Sequence, residues 1–248
     1  IYAAKWLEKF AYNTAKEIIA LSPGMRDGVI EAGIDEKKIT VIPNSCDMDL
    51  FQNISSKKDC FSFREVHNIE KCSKVVFYGG TFGKINGLEY FVRLAEKFKH
   101  DNNVVFVAVG DGAEFGEVLK FAENLDLVSK NLRILPGVSK IELARILLEV
   151  DLACSFFIDL PEMEANSANK FFDALAAGLP IMINYGGWQE DILIRENVGI
   201  RVDRNINVAS KQLMALLHNN ADLKRKGVNA KSTGAKYFNR DNLGAQLN

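Results

Sequence analysis

From Lys74 onward, short apolar runs alternate with segments of helical periodicity, and this alternation restricts the chain to very few architectures. "KVVFYGG" (74–80) is a continuous apolar run ending in glycines. "NGLEYFVRLAEKFKH" follows it, with Leu88, Phe91, Val92, Ala95 and Phe98 at helical spacing. "VVFVAVGDG", "NLRILPG", "DLACSFF", "PIMINYG" and "VGIRVD" repeat the first pattern. "AEFGEVLKFAENLD", "SKIELARILLEV", "EANSANKFFDALAAGLP" and "GWQEDILIRE" repeat the second, and two further helical segments close the chain. Runs that are apolar throughout, rather than at every other residue, fit parallel strands covered on both faces. Strands that alternate with helices need crossover connections, which place helices on both sides of the sheet. The expected fold class is therefore α/β, a doubly wound, Rossmann-like parallel sheet. Such sheets bind ligands beyond the carboxyl ends of their strands, near the point where strand order reverses. The loops that bear on function are those after Tyr78, Val109, Leu135, Phe157 and Asn184.

The earlier part of the chain has a different pattern. "EIIALS" (17–22) and "ITVIPN" (39–44) are strand-like, and "PGMRDGVIEAGI" between them reads as a short helix ending at Gly33. "SCDMDLFQNISSKKDC" shows no periodicity and is rich in Asp, Ser and Lys, which marks it as a linker. The opening "IYAAKWLEKFAYNTAKEI" lacks an initiator methionine and reads as an amphipathic helix, so the chain is expected to be part of something longer. A formal net charge of −1 excludes a global attraction to nucleic acid or anionic membrane. No apolar run approaches the roughly 18 residues of a membrane span. Cys46, Cys60, Cys72 and Cys154 lie far apart without a CxxC, as expected of free thiols in a reducing, cytoplasmic setting. His67, His100 and His218 are scattered and carry no partner pattern. "DMD" (47–49) follows the linker strand rather than the nucleotide sheet, and no metal is expected there.

Each loop at the carboxyl edge has a plain reading and a functional one. "GGTFGKING" lets the backbone approach a ligand at Gly80 and offers N–H groups to an anion, with Lys84 adding charge; it is also an ordinary strand-to-helix turn. "GDGAEFG" reads first as a turn and second as a backbone wall beside a ligand. Main-chain groups around Val138 in "PGVSK" could meet a nucleobase edge, or simply precede a helix capped by Ser139. In "EANSANKFFDALAAGLP", Asn166 and Ser167 are good N-cap residues, so the helix is expected to start near Ala168 with its free amides and dipole at the loop mouth. Phe171, Phe172 and Leu175 form its apolar stripe. Asn169 and Asp173 share a polar face with Lys170 nearby, and the Asp173 carboxylate suits paired hydroxyls, as on a ribose. The plain alternative is a capped helix with a solvated side. In "GGWQED", Trp188 either lines a pocket or anchors its helix. Together these loops favour a nucleotide-bearing anion.

The residues themselves resemble a known family. "IIALSPGM…KKITVIPNSCDMDLF" resembles the segment joining the two domains of family-4 GT-B glycosyltransferases (glycosyl transferases group 1). "VVFYGGTFGKINGLEYFVRLA" resembles their donor-domain glycine loop. "NSANKFFDALAAGLPIMINYGGWQEDI" resembles their nucleotide-sugar signature, in the variant of bacterial surface-sugar transferases related to fucosamine transferases. The likeness runs from about Glu17 to about Asp203, with the segments in matching order.

That resemblance implies a UDP-sugar donor, retention of anomeric configuration and no metal or other cofactor. It implies that Asp173 holds the ribose, with Gly80, Thr81, Lys84, Asn166, Ser167, Ala168, Asn169 and Lys170 around the diphosphate and sugar and the Val138 backbone at the base. The family's sugar-contacting Glu falls at Ala165, so Glu164, or Glu162, is its expected replacement. The family's glycine-loop Arg and following Lys fall at Thr81 and Asn86, which leaves Lys84 and Lys170 as the cations. The implied domains are 1–50, the remnant of an acceptor domain and its connection; 51–70, a linker; 71–225, the nucleotide-sugar domain; and 226–248, a helix returning toward the absent domain. The acceptor, a glycan or lipid-linked sugar, would meet that absent part, and the whole enzyme is expected in the cytoplasm, at the inner membrane face, without nucleic acid. Transfer to surface polysaccharide is the implied reaction, for which this chain would not suffice. A non-catalytic nucleotide-sugar module and a UDP-sugar epimerase are the alternatives.

Overall fold

The computed structural model describes residues 2–55, 62–128 and 130–247. The chain opens with α1 (Tyr2–Thr14), β1 (Ile18–Ala20), α2 (Pro23–Glu31) and β2 (Ile39–Val41). Ser22 caps α2 by accepting from the Met25 N–H, and Pro23 stands where a missing N–H costs nothing. β1 and β2 pair in parallel as a separate small sheet.

The stretch expected to be a linker carries two helices, α3 (Met48–Ser55) and α4 (Phe63–Val66). Residues 56–61, Cys60 among them, lie outside the described residues. Met48 and Phe51 are buried against the main core, and this tertiary burial forms a helix that local polarity had concealed. Phe63 is likewise buried, and Glu149 accepts from Ser62 Oγ and from the N–H groups of Phe63 and Arg64, which ties down α4.

The main body continues through β3 (Lys74–Gly79), α5 (Glu89–Lys97), β4 (Val104–Val109), α6 (Phe115–Asn124), β5 (Leu132–Leu135) and α7 (Lys140–Leu147). β6 (Leu152–Ser155), α8 (Asn169–Ala177), β7 (Ile181–Ile183), α9 (Trp188–Glu196) and β8 (Gly199–Arg201) follow, then α10 (Ile206–Leu217), α11 (Asn220–Tyr237) and α12 (Arg240–Gly244). The strands form one parallel sheet in the order β5-β4-β3-β6-β7-β8. Side chains of β3 alternate between two buried layers. Val75 and Phe77 join the layer under α7 and α8, while Val76 and Tyr78 join the layer under α5 and α10.

The expected division between residues 225 and 226 falls inside α11, a single helix. After α11 the chain returns to the segment that follows β2: the Cys46 N–H donates to the Phe238 carbonyl and the Arg240 N–H to the Cys46 carbonyl. Cys46, Cys72 and Cys154 are unbridged thiols. Among the described residues no helix is long and apolar enough to cross a membrane.

Candidate functional site

Strand order reverses between β3 and β6. The chain builds outward from β3 through β4 to β5, then places β6 on the other side of β3. The loops leaving β3 and β6 therefore diverge and leave a crevice, as expected where a doubly wound sheet changes direction. A cavity of about 470 Å³ occupies it, a size suited to a small organic ligand. Gly79, Gly80 and Thr81 form one wall, Phe157 another, and Ser167, Ala168, Asn169, Lys170 and Asp173 a third; Leu143 and Leu147 of α7 close the apolar side.

The loop after β4 braces the first wall. Gly80 N–H donates to the Val109 carbonyl and Phe82 N–H to the Asp111 carbonyl. Gly110 lies so close that an added Cβ would sit 1.8 Å from the Gly80 oxygen. The "GDG" loop is thus a turn that supports the glycine loop.

α8 starts one residue later than the capping pattern predicts, and neither expected residue caps it. The N-cap position is Ala168, which offers no side-chain acceptor. Asn166 Oδ1 accepts from the Ala168 N–H, and Ser167 Oγ accepts from the distant Asn44 N–H. Both polar side chains are engaged by main chain before the helix begins. The first amides of α8, at Asn169 and Lys170, precede any intrahelical acceptor and stand at the cavity wall, where an anion is favoured.

Lys170 supplies the charge. Its Nζ donates to Asn86 Oδ1 at 2.8 Å and Tyr78 Oη at 3.4 Å, and sits 4.9 Å from the centre of the Tyr78 ring and 5.0 Å from that of Phe157. Among the described residues no carboxylate pairs with it. Burial pulls the ammonium down to about 8, because a charge is costly away from water. Tyr78 Oη in turn donates to the Thr81 carbonyl, so strand and loop are locked together under the lysine. One turn into α8, Asp173 accepts no hydrogen bond among the described residues. Burial raises its carboxyl above the ordinary range; Lys140 opposes this shift and Asp47 adds to it.

Of the residues expected from sequence, Gly80, Thr81, Ser167, Ala168, Asn169, Lys170 and Asp173 meet at this cavity. Asn166 stands just behind it, with its carbonyl accepting from Trp188 Nε1 at 2.6 Å. Three residues are placed elsewhere. Lys84 is exposed in a turn (84–86) and lines a separate depression with Glu114 and Glu117, so Lys170 is the cation at the cavity. Val138 packs against the core beside α7 rather than on the cavity wall. Glu164 is exposed in the turn 161–165 and its carboxylate lies against Gly186, away from the cavity lining. Sequence reasoning missed Tyr78, Phe157, Leu143 and Leu147. The first two stand immediately before loops that were flagged, which was the available signal. Asp47 of "DMD" pairs with Lys140 at 3.4 Å and Arg240 at 3.0 Å.

Known proteins share this fold. A galactosyltransferase of Escherichia coli, UDP-Gal:alpha-D-GlcNAc-diphosphoundecaprenol alpha-1,3-galactosyltransferase, is 28% identical over 206 residues, covering 81% of this chain and 51% of that protein. A glycosyltransferase from Rickettsia africae superposes with a TM-score of 0.78 at 18% identity, over 96% of this chain and 64% of that one. Anabaena HepE in complex with UDP and glucose gives 0.78 at 16% identity, over 96% and 63%. At these identities the two structures establish the fold. The chain spans about half or less of the length of the curated relatives it matches. Residues 2–50 match the family described as Glycosyltransferase Family 4. Residues 61–233, well over half of the chain, match Glycosyl transferases group 1, and with its GT-B-type sheet the chain belongs to that glycosyltransferase family.

Proposed function

We propose that the cavity between β3 and β6 binds the nucleotide of a UDP-sugar donor and that the whole protein transfers a hexose or N-acetylhexosamine-type sugar during bacterial surface-polysaccharide synthesis. One observation carries this reading: a helix start without a side-chain cap, a lysine without a carboxylate partner among the described residues and a carboxylate without a hydrogen bond among them line one cavity. The amides of Asn169 and Lys170 and the Lys170 ammonium hold the diphosphate, and they stabilise it as it leaves the sugar. Asp173 accepts from the ribose hydroxyls. Leu143 and Leu147 give the base an apolar face. The reaction retains anomeric configuration and needs no metal, and the acceptor, a glycan or lipid-linked sugar, meets a further part of the enzyme at the membrane's inner face. Domain boundaries near 50, 70 and 225 describe the connection between these parts, with the last displaced to the end of α11.

A second reading has its own support. Asp173 is the one carboxylate on the described cavity wall, and Glu164 faces away, as in a module that binds donor without transferring it. Calorimetric titration with UDP and UDP-N-acetylhexosamines tests the site. Micromolar to millimolar binding with UDP tighter than uridine is expected; a folded protein that gives no heat at millimolar UDP overturns it. Donor turnover by the longer native protein separates enzyme from module.

A further inference from the structure

The segment entering α8 has consecutive carbonyls taken by side chains from distant parts of the chain. Ser22 Oγ donates to the Ala165 carbonyl at 2.5 Å, Trp188 Nε1 to that of Asn166 at 2.6 Å, and Asn44 Nδ2 to that of Ser167 at 2.5 Å. The Asn44 N–H donates in addition to Ser167 Oγ at 3.3 Å. Ser22 is fully buried, and a Cβ on Gly24 would lie 2.8 Å from the Ala165 Cβ, so the two segments are in direct contact. Ser22 and Asn44 follow β1 and β2, the two strands of the small sheet.

Residues 166–168 belong to no strand or helix, so these donors set the direction of their peptide planes. A peptide unit is planar and trans. Holding the Ser167 carbonyl therefore fixes the opposite N–H, that of Ala168, and with it the entry angle of the helix whose next amides face the cavity.

We propose that Asn44, supported by Ser22, is a positioning residue for the anion cradle at the start of α8, and that the small β1–β2 sheet thereby controls affinity at the cavity. This rests on the reading of the cavity as a diphosphate site.

The test compares UDP with uridine on the full chain. Asn44→Ala is expected to weaken UDP about fivefold to tenfold, the loss of one buried hydrogen bond, and to leave uridine unchanged. Asn44→Gln, which keeps the amide on a longer stem, recovers part of the loss. In the ligand-free protein, hydrogen exchange at the amides of residues 168–170 speeds up in Asn44→Ala. Should that variant fold poorly, Asn44→Ser carries the same expectations. Wild type that binds UDP beside an Asn44→Ala variant that binds equally well overturns this proposal and leaves the cavity reading standing. So does an equal loss for UDP and uridine, the mark of a merely structural role. Wild type indifferent to UDP overturns both.

Discussion

Lys170 Nζ donates a 2.8 Å hydrogen bond to Asn86 Oδ1, which joins the start of α8 to the loop after β3 across the cavity. The ammonium is held by a neutral amide and two aromatic rings, so its charge is uncompensated within the described chain. A cation kept in this state is costly to the fold and available to an anion.

Replacing Lys170 therefore separates stability from binding. Lys170→Met is expected to weaken UDP by about tenfold or more while leaving the melting temperature of the ligand-free protein unchanged or higher. The folded value near 8 lies below the ordinary 10.5, so between them the unfolded chain holds more protons. Stability contributed by this group is thus present above 10.5 and lost as pH falls through about 8. UDP affinity runs the other way and declines as pH rises past 8. Thermal melts and titrations from pH 7 to about 10 check both slopes, and both should vanish in Lys170→Met.

Asp173→Ala is expected to weaken UDP more than it weakens pyrophosphate, because in the proposed site the carboxylate accepts from the ribose rather than meeting the phosphates. Equal losses would remove the ribose assignment. Burial raises this carboxyl, so nucleotide affinity should fall with decreasing pH sooner than an ordinary aspartate predicts. Its contribution to folding has the opposite sign. A raised carboxyl stabilises the folded state at low pH, and that contribution is lost as pH rises through the folded value. Asp173→Asn flattens both dependences.

Gly110→Ala tests the brace behind the glycine loop. The added methyl would meet the Gly80 carbonyl oxygen at 1.8 Å, and main chain must move to admit it. We expect a loss of about 3 kcal/mol in urea unfolding. UDP binding should also be weaker in the folded fraction, since Gly80 is on the cavity wall.

Arg64→Ala tests whether the segment after residue 61 is structural. Arg64 bridges Asp151 at 2.8 Å and donates to the carbonyls of Glu149 and Ser73. Its loss should cost about 2 kcal/mol, as for hydrogen bonds to charged groups, with no change in UDP affinity. An unchanged melting temperature would show that the segment behaves as part of the linker expected over 51–70.

Asp47 is engaged by Lys140 and Arg240, which leaves "DMD" poorly disposed to hold a cation. UDP affinity is expected to be the same in excess EDTA and in added Mn²⁺. A metal-dependent gain in affinity, measured by calorimetry, would reopen that motif.

Much of this molecule was legible in its sequence. Continuous apolar runs such as "VVFVAV" become β4 because only a strand covered on both faces uses every residue, and "PGMRDGVIE" becomes α2 because Ser22 and Pro23 announce its start. Helix α3 was illegible, since its apolar Met48 and Phe51 acquire a core only when α7 and α8 arrive. The caps expected at Asn166 and Ser167 were misplaced because Asn44, 123 residues away, takes Ser167 for itself.

The sequence by itself determined the parallel sheet, the edge at which ligands meet it, and a polar helix start carrying Lys170 and Asp173, because these follow from local periodicity and spacing. The tertiary structure alone decided which loops converge. The order β5-β4-β3-β6-β7-β8 sets the crevice between β3 and β6, and strand order depends on contacts between distant residues that leave no local trace. The same is true of charge: Lys84 and Lys170 look alike in sequence, but only Lys170 is carried by its helix to Asn86, 84 residues away, and there it is desolvated enough to matter.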